Sequence, residues 1–359
     1  MSSTHIGTYQ PALDGYRAIA VLAVMGYHTY EPMFSLGWVG VSLFFVLSGY
    51  LITGILVDSR TSPNYFRTFY ARRILRIFPA YYALLLLALA YGFVLHAPLG
   101  DAPWFFAYLQ NILLYKTYWQ ADFPWPWNHT WSLAVEEQFY LVAPVLVRLF
   151  ELRRARSVFL GMVIFSLAFK FFVFWHDDPQ ANLYPHTLAN LDLLAAGCWL
   201  ACSMRLDNAD VLRRRVWRAA LLATVGYALV IVLVPGMRAP GSVNGLLGYD
   251  WLACHTWMVL TVPFVLLSIV NRTSPLCDRF LSSAPLTFTG RISYGLYLYH
   301  FVVFSLSDQF FFPMRWDIGP WMLPFKFVAT FVMAYASWRL LEEPVLRLKR
   351  HFQYAPPTA

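Results

Sequence analysis

Long uncharged apolar runs, each near the ~20 residues that a helix needs to cross the hydrocarbon of a bilayer, recur along almost the whole chain. A soluble core cannot absorb them. Hydrophobic residues make up 59% of the 359 and charged ones 13%, against about 45–50% and about 25% in an ordinary soluble domain. The bilayer is therefore the solvent, and the expected fold class is all-α: a polytopic membrane protein of about ten transmembrane helices.

The spans are read at 13–30, 38–57, 77–95, 131–150, 157–175, 187–204, 216–234, 251–270, 285–306 and 321–341. With both termini cytoplasmic, the inner segments are 58–76, 151–156, 205–215, 271–281 and the tail from Glu342, and they hold nearly every basic cluster. The outer segments, among them 176–185, 235–250 and 307–320, hold acidic, aromatic and Pro/Gly residues. The formal charge of +8 thus reads as topology, not as a nucleic-acid face. Residues 13–348 form one membrane domain between a short N-terminus, 1–12, and a tail, 349–359. That N-terminus lacks the charged-then-apolar form of a cleavable signal, so the first span is expected to be retained. Cys198, Cys202, Cys254 and Cys277 have no paired spacing, and neither a disulfide framework nor a metal site is expected.

The stretch 104–116 is apolar but short, and it carries Gln110 and Asn111. Counting it as a crossing would put Arg153, Arg154 and Arg156 outside, so it is read as a re-entrant or interfacial helix within an outer segment, 97–130. Trp104, Trp119, Trp125 and Trp127 of that segment are read as an interfacial aromatic belt, with the lining of an acceptor cleft as the alternative.

Ionisable residues inside spans cost roughly 2.5–3.5 kcal/mol each on insertion scales and are functional candidates by default. In the first span, Asp14, Arg17 and His28 lie within LDGYRAIAVLAVMGYH. Arg17 and His28 fall on one helical stripe about 16 Å apart, and Asp14 is three residues from Arg17, close enough to neutralise it. In the fourth span, WSLAVEEQFY places Glu136 and Glu137 at a depth expected to match that of His28. A carboxylate beside an imidazole fixes its tautomer and raises its basicity, as a general base for a hydroxyl requires. In the ninth, SYGLYLYH brings Tyr297 and His300, which suit sugar hydroxyls, as does Trp131 at the head of the fourth. At the inner start of the third, FYARRILRIFP groups Arg72, Arg73 and Arg76, whose guanidinium forks suit phosphate.

These segments resemble the membrane-bound acyltransferase-3 family. The resemblance rests on LDGYRAIAVLAVMGYH, with ten residues between Arg17 and His28, GWVGVSLFFVLSGYLIT, FYARRILRIFPAYY, HTWSLAVEEQFYLVAP, RISYGLYLYHF and LEEPVLRL, in order from residue 13 to 348. It implies an integral-membrane O-acyltransferase of the cell (inner) membrane that acylates carbohydrate-type acceptors, with acetyl-CoA as the usual donor. It implies that Arg17 and His28 are essential and that Arg72, Arg73 and Arg76 engage the donor. Two positions depart from the pattern: Ser42 stands where the family often has an acidic residue, and its Glu-Arg-Pro reads Glu342, Glu343, Pro344. Many relatives carry a fused extracytoplasmic hydrolase-like domain, and this chain is read as the stand-alone form.

The mechanism expected is direct transfer: His28, oriented by Glu136 or Glu137, takes the acceptor proton as the oxygen attacks the thioester, with Tyr297 or Asn128 as candidate oxyanion donors. A covalent acyl-histidine relay is the mechanistic alternative. The alternative from another class is a transporter or flippase of a glycan or lipid-linked sugar, since intramembrane charges also mark transport paths. The partners expected are acyl-CoA, the acceptor and the lipid bilayer; the sequence leaves open the acceptor's identity, the acyl length and whether copies form a homo-oligomer.

Overall fold

A computed structural model describes residues 9–29, 33–34, 36–123, 127–176, 183–233, 249–311 and 321–356. Among these, every regular element is helical. In order they are α1 (Pro11–Thr29), α2 (Val39–Asp58), α3 (Tyr65–Val94), α4 (Ala102–Phe106), α5 (Gln110–Lys116), a 3₁₀ turn (Asn128–Thr130), α6 (Trp131–Leu149), α7 (Leu152–His176), α8 (Thr187–Leu206), α9 (Ala209–Leu233), α10 (Tyr249–Val270), α11 (Pro275–Leu281), α12 (Ala284–Arg291), α13 (Ser293–Phe311), α14 (Met322–Ser337), a π-helical turn (Trp338–Glu342), α15 (Glu343–Leu346) and a closing 3₁₀ turn (Arg347–His351). Tyr30, Trp125 and most of the outer loops expected at 176–185, 235–250 and 307–320 lie outside the described residues.

Among the described residues five helices, α2, α3, α7, α8 and α10, are long and apolar enough to cross a membrane. Their outward faces are apolar: α7 exposes Leu160, Ile164, Phe165, Phe171, Phe172 and Trp175, the surface of a multi-pass membrane protein whose solvent is lipid. Polar groups are turned inward instead.

Several boundaries differ from the sequence reading. The third helix starts at Tyr65, not near 77, so the arginine cluster lies inside a continuous 30-residue helix. The stretch 285–306 is broken at Ile292 into α12 and α13. The stretch 104–116 folds as α4 and α5, of five and seven residues, each far below the ~20 needed to cross. Its amides explain why it stays inside the protein. Gln110 donates to the Thr130 carbonyl at 2.9 Å, Asn111 donates to Thr187 Oγ1 at 2.8 Å, and Gln138 of α6 donates to Asn111 at 2.8 Å.

Small residues let the helices around the site approach to backbone contact. A Cβ on Gly49 of α2 would stand 2.0 Å from the Leu194 carbonyl oxygen of α8, and one on Gly197 would stand 2.1 Å from that of Val46. A Cβ on Gly290 of α12 would meet the Asp14 carbonyl oxygen at 1.9 Å, which seats α12 on the start of α1. A fully buried ion pair, Lys170 with Asp192, ties α7 to α8, and His255 of α10 stands 3.7 Å from the same carboxylate.

Candidate active site

Helices α1, α2, α3, α6 and α13 enclose one cavity of about 310 Å³. Its α2 wall is largely apolar, with Phe44, Phe45, Leu47, Leu51 and Ile52. The other walls bring together Arg17, Arg73 and Arg76 with Glu136, Glu137, Tyr294 and Tyr297.

The cations are held in two ways. Arg17 donates to Asp14 Oδ1 at 2.7 Å; the second Asp14 oxygen accepts from the Tyr9 hydroxyl at 2.8 Å, and Arg291 donates to that hydroxyl at 3.2 Å. Arg17 is thus fixed at the cavity wall. Arg73 instead lies over the Phe69 and Tyr140 rings at 5.8 and 5.7 Å, and among the described residues none of Arg72, Arg73 and Arg76 has a carboxylate within ion-pair distance.

The two carboxylates differ in the way that neighbouring helical positions, about 100° apart, allow. Glu136 accepts from Ser48 of α2 at 2.7 Å and from Tyr140 at 3.3 Å. Glu137 lines the same cavity, yet its buried Oε1 finds no hydrogen-bond partner among the described residues. A desolvated carboxylate oxygen left without a partner costs stability.

One helical turn beyond Tyr297, the imidazoles meet. His28 Nδ1 lies 2.9 Å from His300 Nε2, and His300 Nδ1 lies 2.7 Å from the Tyr297 carbonyl oxygen. A carbonyl only accepts, so His300 Nδ1 carries the proton; in a neutral ring its Nε2 is then the acceptor, and His28 Nδ1 must be the donor. These two bonds put the proton of a neutral His28 on Nδ1 and its lone pair on Nε2, the tautomer a general base acting through Nε2 needs.

Residues 10–339 match the acyltransferase domain of the acyltransferase-3 family. The chain belongs to that family. Similar chains include the peptidoglycan O-acetyltransferase OatA of Listeria monocytogenes serovar 1/2a, 27% identical over 94% of this chain and 56% of the relative. The O-acetyltransferase OatA of Staphylococcus aureus is 28% identical over 94% and 57%, and the putative peptidoglycan O-acetyltransferase YrhL of Bacillus subtilis 30% identical over 94% and 55%. The chain spans a little over half the length of these relatives. No solved structure matches it.

Within this acyltransferase-3 domain, the expected site residues fall into three groups. Arg17, Arg73, Arg76, Glu136, Glu137 and Tyr297 meet in the cavity, while Arg72 lies beside it with its guanidinium 6.0 Å from the Tyr354 ring centre. His28 is not paired with Glu136 or Glu137, contrary to expectation. The depth of His28 is occupied by the 3₁₀ turn before α6, where the His129 ring stands 5.1 Å from that of His300, and the carboxylates lie seven and eight residues further on, roughly 10–12 Å along the helix.

The remaining roles also change. His300 is fully buried with both ring nitrogens engaged, which leaves none for a sugar hydroxyl; it positions His28 instead. Trp131 is buried against Phe45 and Tyr184 and does not line the cavity. The Tyr297 hydroxyl donates its one proton to the His129 carbonyl at 2.8 Å and therefore accepts from Ser132 at 2.6 Å, so it is not an oxyanion donor. Asn128 donates to the Trp119 carbonyl at 3.1 Å, away from the cavity. At the departing Glu342–Glu343 corner, Glu342 accepts from Ser337, and Glu343 takes Arg339 at 2.7 Å and Arg347 at 3.3 Å.

His129, Lys170, Asp192 and His255 were not among the expected site residues. Lys170 and Asp192 sit inside predicted spans, where the cost of a buried charge marks them. His129 stands just ahead of a predicted span and carries no such mark.

Proposed function

We propose that this chain is an integral-membrane O-acetyltransferase of the cell (inner) membrane, with both termini cytoplasmic, that moves an acetyl group from acetyl-CoA to a hydroxyl of a cell-envelope carbohydrate. The cavity carries the reading: three arginines and two carboxylates from three helices converge in one space with an apolar α2 wall, with the His28–His300 pair beyond Tyr297. The relatives named for peptidoglycan acetylation favour a glycan of that type as acceptor.

In this account the arginines hold the donor's nucleotide phosphates at the basic end, where planar forks match phosphate oxygens. The pantetheine arm runs along the α2 wall and brings the thioester toward His28. His28 Nε2 takes the acceptor's hydroxyl proton as that oxygen forms its bond to the thioester carbonyl carbon. The carbon–sulfur bond then breaks, and the departing thiolate recovers the proton from His28. Glu137, with its bare oxygen, accepts from an acceptor hydroxyl and holds the sugar in place.

The test is acetyl transfer by detergent-purified protein from radiolabelled acetyl-CoA to a soluble peptidoglycan fragment, a setting without a gradient. Labelled fragment that disappears in His28→Ala is the expected result. Donor that is neither consumed nor bound by the wild type would remove the reading.

A further inference from the structure

The C-terminal segment folds back onto the start of α3. Asn64 clasps it from both sides, donating to the Gln353 carbonyl at 2.8 Å and accepting from the Ala355 amide at 3.0 Å, and Ser62 donates to the Ala355 carbonyl at 2.9 Å. Tyr354 lies under the Arg72 guanidinium. This docking sets the closing 3₁₀ turn against α3, with half-buried Lys349 facing Arg72, Arg73 and Arg76.

Carboxylates near this corner are already engaged: Glu343 of α15 by Arg339 and Arg347, and Glu342 by Ser337. On the same turn Arg350 is directed to His351. Among the described residues, no carboxylate lies within ion-pair distance of Lys349 or of the three arginines it faces. Glu136 and Glu137 share the cavity with Arg73 and Arg76 but form no ion pair with them, so the four cations still repel one another, and a polyanion entering between them relieves it. Burial first, and then the three guanidinium groups, bring the Lys349 ammonium down from 10.5 to about 7.

We propose that Lys349, delivered by the docked C-terminal segment, is the fourth cation of the site for the donor's nucleotide phosphates. The inference rests on the acyl-CoA reading above. A phosphate binds the charged ammonium, so donor affinity is greatest below neutral pH and falls as Lys349 loses its proton above about pH 7. Lipid headgroups offer the same phosphate chemistry, and the test separates them.

The KM for acetyl-CoA is measured on full-length purified protein at pH values about one unit either side of neutrality. Lys349→Met is expected to raise KM about tenfold on the acid side and much less on the alkaline side, with the effect confined to KM. Lys349→Arg should restore the low KM and flatten its pH dependence. Asn64→Ala, which releases the segment without touching a charge, should raise KM in the same direction. With S-acetylpantetheine, which has no phosphate, Lys349→Met and wild type should coincide. An unchanged KM in Lys349→Met at acid pH, a deficit that persists with S-acetylpantetheine, or one seen only in phosphatidylglycerol nanodiscs and not in phosphatidylcholine ones would overturn the proposal. Wild-type protein that shows no saturable use of acetyl-CoA would instead remove the donor reading, and this proposal with it.

Discussion

One N–H bridges His28 to His300: the 2.9 Å contact between their rings has a single allowed direction, because the Tyr297 carbonyl already claims the proton on His300 Nδ1. In the proposed mechanism the His28 base is therefore oriented by a second histidine on a neighbouring helix, in the way that a triad's third member orients its base.

It follows that His300 acts through His28. His300→Ala is expected to lower kcat about 100-fold with little change in either KM, whereas His28→Ala loses the full contribution of a general base, about 10²–10⁴-fold. His300→Gln, which can place an amide oxygen near the same point to accept from His28 Nδ1, should recover part of the loss. Steady-state kinetics on the three variants decide this, and a His300→Ala effect on acceptor KM alone would return the residue to substrate binding.

Arg73 and Arg76 should matter through the donor. Removing hydrogen bonds to a charged group costs about 1.5–3 kcal/mol, so Arg73→Ala and Arg76→Ala are each expected to raise the KM for acetyl-CoA by roughly ten- to a hundredfold. Lysine should recover only part of this, since a point charge lacks the planar fork. Isothermal titration with coenzyme A provides an independent reading.

The carboxylates should separate by role. Glu137→Gln is expected to raise the acceptor KM and lower kcat if this cavity-lining carboxylate holds the acceptor as proposed. Ser48→Ala strips a 2.7 Å donor from Glu136 and should appear mainly as lost stability, about 1–3 kcal/mol, in a detergent melt.

The sequence makes the membrane class, the cavity's cations and its carboxylates readable for one reason: a charge inside an apolar run has no cheap explanation. Arg17, Arg73, Arg76, Glu136 and Glu137 all reach the cavity that the pattern implies. Depth is harder to read. The 3₁₀ turn at Asn128–Thr130 sets His129, not Glu136, beside the His28 pair, and no periodicity announces a three-residue turn. The start of α3 is equally hidden, because residues 65–76 combine basic and aromatic residues in a way that reads as an inner loop until packing makes it helix. Hydroxyl commitments such as Tyr297 to His129 exist only once separate helices meet.

The buried Lys170–Asp192 pair makes a prediction about stability alone. Removing one partner leaves an uncompensated charge, so Lys170→Met is expected to destabilise by about 3–5 kcal/mol, while Lys170→Met with Asp192→Leu should recover most of it. Thermal unfolding in detergent compares the two, and equal losses in the single and double variants would contradict this account of the pair.

The most direct test of the central claim, that His28 moves a proton rather than an acyl group, is a single-turnover experiment with radiolabelled acetyl-CoA. Direct transfer predicts that wild-type protein holds no covalent label in the absence of acceptor and passes label to a peptidoglycan fragment in one step once it is added. Label that stays on the protein without acceptor, and is absent from His28→Ala, would contradict it.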